Sequence, residues 1–175
     1  MADLNRRILY PRERIAAEVS RLGMEISRDF AGQDVMLISV LKGSFLFVAD
    51  LIRAIEVPSV IDFVRLASYG SGTSTSGIIE FRKGLEMPIR DRNVIIVEDI
   101  VDSGYTLESL YNKLLLQSPR SLKICTLIDK RGRREVEIEA DYVGITMDDG
   151  FIIGYGLDHD EQYRNLADIY LVEGV

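Results

Sequence analysis

The sequence predicts an α/β fold, with one mainly parallel, twisted sheet flanked by helices. Three observations point there. Apolar, strand-like runs alternate with stretches of helical periodicity. Polar segments at 41–44, 98–106 and 129–134 stand where such runs end, the place where a parallel sheet binds ligands. No internal repeat or linker-like tract divides the 175 residues, so a single domain spanning 1–175 is expected, large enough for a hydrophobic core.

The elements follow in order. Residues 11–30 place Ile15, Ala16, Val19, Leu22 and Ile26 at helical spacing with charges between them. Residues 34–41 form an unbroken apolar run behind Asp34, as expected of a strand covered on both faces. Lys42-Gly43-Ser44 ends it, and 45–55 returns to helical periodicity. Residues 60–66 read as a second strand. The Gly/Ser/Thr-rich tract 68–77 cannot pack a core and reads as a mobile loop. Strands are expected at 78–82 and 93–97, a helix at 106–117, and strands at 122–128, 142–147 and 169–172.

Composition narrows the function. A formal net charge of −7 argues against general nucleic-acid binding, which needs a basic face to replace phosphate counterions. Any phosphate must be held locally, by backbone N–H groups, a few cations or a metal. The single cysteine, Cys125, lies in an apolar run, has no internal disulfide partner, and is expected to be a buried, inert thiol. No run approaches the ~20 apolar residues of a membrane span, and residues 1–7 lack a signal-like apolar stretch. A cytoplasmic protein with no membrane or nucleic-acid partner is expected.

The chemistry concentrates in residues 94–107. Val94-Ile95-Ile96-Val97 reads as a buried strand ending on Glu98-Asp99. Two carboxylates there carry a desolvation cost unless hydroxyls or a cation satisfy them. Asp102 then opens the turn Ser103-Gly104-Tyr105-Thr106. Gly104 lets successive N–H groups converge, the helix from near Thr106 adds its positive end, and Ser103 and Thr106 supply hydroxyls. This suits a monophosphate. No G-x-x-x-x-G-K-[ST] occurs, so triphosphate hydrolysis loses most of its support. Alone, the turn is also compatible with a plain capped helix. Acids beside a phosphate cradle call for a ligand that wants both, such as a phosphorylated sugar with hydroxyls or one bound with a divalent metal.

An apolar strand, Glu98-Asp99, two aliphatics, Asp102, Ser103-Gly104, one residue and Thr106 resemble the phosphoribosyl-diphosphate (PRPP) signature of type I phosphoribosyltransferases. The resemblance covers nearly the whole chain. Leu41-Lys42-Gly43-Ser44 is similar to the pyrophosphate loop, and Ser68-Tyr69 to the start of the closing lid. Lys130, and the segment 151–158 followed by Arg164, resemble the purine side of the branch acting on hypoxanthine and guanine.

That resemblance implies a type I phosphoribosyltransferase fold with a small hood formed by terminal segments. It implies transfer of the phosphoribosyl group from PRPP to a 6-oxopurine base, giving IMP (with hypoxanthine) or GMP (with guanine) and pyrophosphate. Asp102 is then the general acid/base at N7 of the base, and Glu98 and Asp99 hold the ribose hydroxyls directly or through Mg2+. The backbone of Ser103, Gly104, Tyr105 and Thr106 cradles the 5′-phosphate, while Leu41, Lys42, Gly43 and Arg164 bind pyrophosphate. Lys130 reads the 6-oxo group, Phe151 stacks on the purine, and Ile152 and Asp158 complete the base site. The metal set is Glu98, Asp99 and Asp158, the last through a second magnesium or its waters. The lid begins at Ser68 and Tyr69, and a homodimer or homotetramer is implied. His159, a lone histidine that cannot build a zinc site, is expected to be exposed or behind the ligands. Arg133 and Arg134 read as a solvated basic run without a role. Tyr105 stands at the signature's variable position. Gly150 replaces a larger polar residue common in relatives, which leaves base preference open. A xanthine- or pyrimidine-directed relative, a PRPP- or nucleotide-sensing regulator that binds RNA, and a ligand-binding module without chemistry are the alternatives.

Overall fold

The computed structural model describes residues 4–68 and 79–174, of which 67–68 and 79–81 are described by backbone alone. Two sheets organise them. The larger is built from β2 (Val35–Leu41), β3 (Ser59–Ser68), β4 (Ile79–Lys83), β5 (Asn93–Val101), β6 (Ser121–Lys130) and β7 (Tyr142–Met147), in the order β4-β3-β2-β5-β6-β7. All neighbours are parallel except the antiparallel β3–β4 edge pair. A smaller antiparallel sheet, β1-β9-β8, joins β1 (Arg6–Tyr10), β9 (Ile169–Val172) and β8 (Phe151–Ile153). This is the hood, drawn from both ends of the chain. The helices are α1 (Arg12–Asp29), α2 (Phe45–Ala54) and α3 (Tyr105–Leu115).

β2 shows why the unbroken apolar run is a strand. Val35 and Leu37 face one core with Ile15, Val19, Leu22 and Ile26 of α1 and Phe47 and Leu51 of α2. Met36, Ile38 and Val40 face the other core with Leu107, Leu110 and Leu114 of α3. Period-two alternation between two covered faces keeps the strand apolar but for the buried Ser39, whose hydroxyl meets that of Ser44 at 2.7 Å. Gly23 lets α1 lie directly against α2, since a Cβ there would stand 2.5 Å from Ala54 Cβ. No helix among the described residues is long and apolar enough to cross a membrane.

The sheet order carries the functional consequence. From β2 the chain moves outward to β3, then returns to place β5 on the other side of β2. The carboxyl ends of β2 and β5 therefore flank a topological switch point, where open α/β sheets leave a ligand crevice. The loop after β2 holds Leu41-Lys42-Gly43, and β5 leads into Asp102 to Thr106.

Two expectations need correction. Glu98 and Asp99 do not end their strand: β5 runs on to Val101, so both acids sit inside a hydrogen-bonded strand. Lys130 does not follow a strand that ends at residue 128, because β6 extends to it and buries it. β1 and β8 carry no local pattern that foretells them. β1 is Arg-Arg-Ile-Leu-Tyr and β8 is three residues long, and each pairs only with the distant β9. Ser68 closes β3, while Tyr69 and the loop expected beyond it lie outside the described residues.

Candidate active site

A cavity of about 210 Å³ opens at the end of β5, lined by Glu98, Ile100, Val101, Asp102, Ser103, Gly104, Thr106 and Leu107. Its floor is the turn read from sequence as a phosphate nest. Gly104 is left-handed (φ 91°, ψ −14°) and begins α3, with its carbonyl accepting from the Glu108 N–H at 2.9 Å. The turn's other carbonyls are held from the back. The Ser103 carbonyl accepts from the Glu135 N–H at 3.0 Å, and the Asp102 carbonyl from Arg134 Nε at 3.0 Å. Val136 and Ile138 press on the same side, where a Cβ at Gly104 would meet Val136 Cγ2 at 2.7 Å. With these carbonyls engaged behind the turn, its N–H groups are left to the cavity, the polarity an anion needs. Tyr105 turns its exposed ring away, its hydroxyl donating to Glu135 Oε2 at 3.3 Å.

Beside the cavity stand the paired acids. Asp99 is only 8% exposed, and its carboxylate lies on the Cα of Gly43: a Cβ added there would fall 1.7 Å from Asp99 Oδ2. Glycine is required by close approach alone, and the contact joins the loop after β2 to β5. Burial, reinforced by the charge of Asp99, pushes the Glu98 carboxyl well above the ordinary glutamate range. Burial also raises Asp99, opposed by the Glu98 side chain, the N–H groups of Asp99 and Ile100, and the charge of Arg164. Two adjacent acids biased toward sharing a proton suit a hard divalent cation, which would take oxygen ligands and relieve the repulsion.

Asp102 sits between cations. Its Oδ2 lies 3.7 Å from Lys130 Nζ and 3.6 Å from Arg133 Nη1, while Oδ1 is buried with no hydrogen-bond partner. Lys130, 4% exposed at the end of β6, also meets Asp149 Oδ1 at 3.0 Å. The base-side residues therefore converge on the acid expected to act at the base. Phe151 is half-buried and Ile152 buried on β8. The Phe151 ring meets His159 edge to face, with centroids 5.2 Å apart and planes at 80°.

The pyrophosphate-side residues gather as well. The Leu41–Lys42 peptide is cis. Gly156 (φ 98°) packs on the loop, since a Cβ there would fall 2.1 Å from the Gly43 carbonyl oxygen. Arg164 donates through Nη1 to the Gly156 carbonyl at 2.7 Å and through Nη2 to Asp158 Oδ1 at 2.8 Å, leaving its buried Nε unpartnered. Asp158 Oδ2 accepts from the Glu161 N–H at 2.9 Å, so protein groups engage both of its oxygens. Glu161 bridges Lys42 Nζ at 2.9 Å and Arg164 Nη2 at 3.1 Å. Those contacts, Lys42 first, hold its carboxyl below the ordinary glutamate range. A side-chain carboxylate thus spans two cations expected to bind an anion.

Sequence reasoning passed over four residues here. Arg133, Arg134, Asp149 and Glu161 all touch the expected site residues. Only Arg133 and Arg134 left a trace, as members of a charge run. Cys125 is fully buried, and burial drives its thiol far above the ordinary range, as an inert cysteine requires.

Comparison with known proteins agrees with this geometry. The family model described as "Phosphoribosyl transferase domain" matches residues 6–160. The hypoxanthine-guanine phosphoribosyltransferase of Mycobacterium tuberculosis (strain H37Rv) is 46% identical over 166 residues, covering 91% of this chain and 82% of that one. The hypoxanthine phosphoribosyltransferase of Escherichia coli K12 is 42% identical, covering 91% and 90%. The crystal structure of a hypoxanthine-guanine phosphoribosyltransferase from Bacillus anthracis, with HEPES in its active site, superposes with a TM-score of 0.92 at 45% identity, covering 97% and 99%.

Proposed function

The chain belongs to the phosphoribosyl transferase family, and from that premise we propose that it is a purine-salvage enzyme. It transfers the 5-phosphoribosyl group from PRPP to hypoxanthine, and to guanine, giving IMP or GMP and pyrophosphate. The observation that carries this reading is the convergence at one switch point of a phosphate-sized nest, a partly buried acid pair and an acid–lysine pair.

In this reading the N–H groups of Ser103 to Thr106 bind the 5′-phosphate and fix the ribose over β5. Glu98 and Asp99 take the 2′- and 3′-hydroxyls, and their charge favours the oxocarbenium-like state at C1 as pyrophosphate leaves. Lys42, Arg164 and the backbone of 41–43 hold the leaving group. Lys130 donates to the 6-oxo group and Phe151 stacks on the ring. Asp102 acts as general acid/base at N7, and its unpartnered Oδ1 supports that role. Glu98 and Asp99 are the residues that would hold Mg2+, which supplies charge neutralisation and a template for the hydroxyls and pyrophosphate oxygens. Among the described residues no group of three or more ligating side chains gathers about one cation position, so substrate and water would complete its shell. Asp158, already paired with Arg164, fits a role through metal-bound water better than direct ligation.

The same proposal takes 1–175 as one domain, the cytoplasm as location, and a homodimer or homotetramer as assembly. The test is a steady-state assay with PRPP and Mg2+ against hypoxanthine, guanine, xanthine and adenine separately. Turnover of the 6-oxopurines with pyrophosphate release is expected; its absence, or turnover of adenine alone, sinks the reading.

A further inference from the structure

We propose that Asp149 sets the enzyme's preference among 6-oxopurines by neutralising Lys130, so that a base carrying negative charge is disfavoured. The inference deepens the function proposed above and rests on Lys130 facing the 6-oxo group.

Four charges of balanced sign surround the base end of the site. Lys130 is buried and meets Asp149 Oδ1 at 3.0 Å and Asp102 Oδ2 at 3.7 Å; Arg133 Nη1 lies 3.6 Å from the same Asp102 oxygen. A buried ammonium facing a ring oxygen attracts an anionic base more than a neutral one. Xanthine is the acidic member of the series, losing a ring proton near neutral pH and spreading the charge over ring and oxygens. Hypoxanthine and guanine stay neutral there. Asp149 places an opposing carboxylate on the ammonium without being buried itself, its side chain 68% exposed. The Gly150 N–H, donating at 2.7 Å, and then Lys130 lower its carboxyl below the ordinary aspartate range, so it is ionised at neutral pH. Asp102 carries the second negative charge but is committed to the base's proton. Asp149 is therefore the one acid of the four-charge group that tunes charge without doing chemistry.

Asp149→Asn separates charge from shape. The amide oxygen still accepts from the Gly150 N–H, the side chain is exposed, and only the charge goes. The measurement is KM and kcat for hypoxanthine and guanine, with the inhibition constant of xanthine as a competitor of hypoxanthine. It is made at a pH where xanthine is largely deprotonated and hypoxanthine is not. Asp149→Asn should tighten xanthine relative to hypoxanthine by about tenfold, the size expected of one charge a few ångströms from another in a half-wet site. The guanine-to-hypoxanthine ratio should stay within about twofold, and Asp149→Glu should keep the wild-type preference. An unmoved xanthine ratio overturns the inference, as does an equal shift for guanine or the same shift in the Glu variant. Those outcomes leave the proposed function standing if wild type turns over hypoxanthine. No wild-type turnover of any base removes the proposed function, and this inference with it.

Discussion

Asp102 presents one carboxylate oxygen to two cations and leaves the other buried and unpartnered. An asparagine there keeps size and polarity but cannot exchange a proton. Asp102→Asn should lower kcat by roughly 10²–10⁴-fold while PRPP affinity, read by fluorescence or calorimetry, changes little; normal turnover would remove Asp102 from its role. Arg134 tests the turn from behind. Its guanidinium holds the carbonyls of Asp102 (3.0 Å), Val101 (3.4 Å) and Ile138 (2.5 Å) and the buried Asp129 (2.5 Å). Arg134→Met strands those acceptors, a loss of about 1–3 kcal/mol, and should appear mainly as a higher KM for PRPP, because the turn's N–H groups lose their orientation. A drop in kcat with KM unchanged would contradict that. At this scale legibility was uneven. Glu98 and Asp99 stood out because paired carboxylates on a buried strand are costly without a partner, while Asp102 and Lys130 stood out through their places after apolar strands and their resemblance to the family's motifs. Arg134 did not, because its partners are backbone carbonyls, which every residue has and no sequence pattern distinguishes.

At the scale of elements, the segment 154–164 works as a strap over the loop after β2. Gly156 sits on the Gly43 carbonyl, and Glu161 spans Lys42 and Arg164. The strap is wound tightly, with Tyr155, Asp160, Glu161 and Tyr163 all at positive φ. In the proposed assignment the pyrophosphate group of PRPP displaces the Glu161 carboxylate from both cations. Glu161→Gln should therefore lower the KM for PRPP by about two- to fivefold, the range of an exposed ion pair; a raised KM would mean that the carboxylate organises the cations instead of competing for them. Long, strongly periodic elements were plain in the sequence: α1, β2, α2 and β6 all fall close to their expected places. β1 and β8 were not, since their strand character comes from β9 and not from their own residues. The end of β5 was misjudged for a related reason. Acids usually stop a strand, but here β6 pairs through Glu98 to Val101 and carries the strand past them.

Across the whole molecule, two apolar layers clamp the large sheet, and the crevice opens at the carboxyl end of β5, beside Val101 and Leu107 of the second layer. Phe47, fully buried between α1, α2 and the sheet, measures the first layer. Phe47→Ala should cost about 3–5 kcal/mol in urea unfolding at an unchanged denaturant slope. A loss below 1 kcal/mol would mean that the layer repacks freely. Ligand binding should register globally too. PRPP with Mg2+ at roughly a hundred times its dissociation constant should add about 2.7 kcal/mol to stability and raise the melting midpoint by roughly 5–10 °C; no shift would argue that the crevice does not bind PRPP. The hood has a consequence in time as well as in space. β1 leaves the ribosome ahead of every other described element, yet its partner β9 follows them all. β2, β5 and α3 can assemble the sugar-phosphate side while β1 still waits unpaired. In the proposed assignment the 5′-phosphate turn is thus in place before the hood can close, whereas Arg164 on the pyrophosphate side and Phe151 on the base side both arrive only with the late elements.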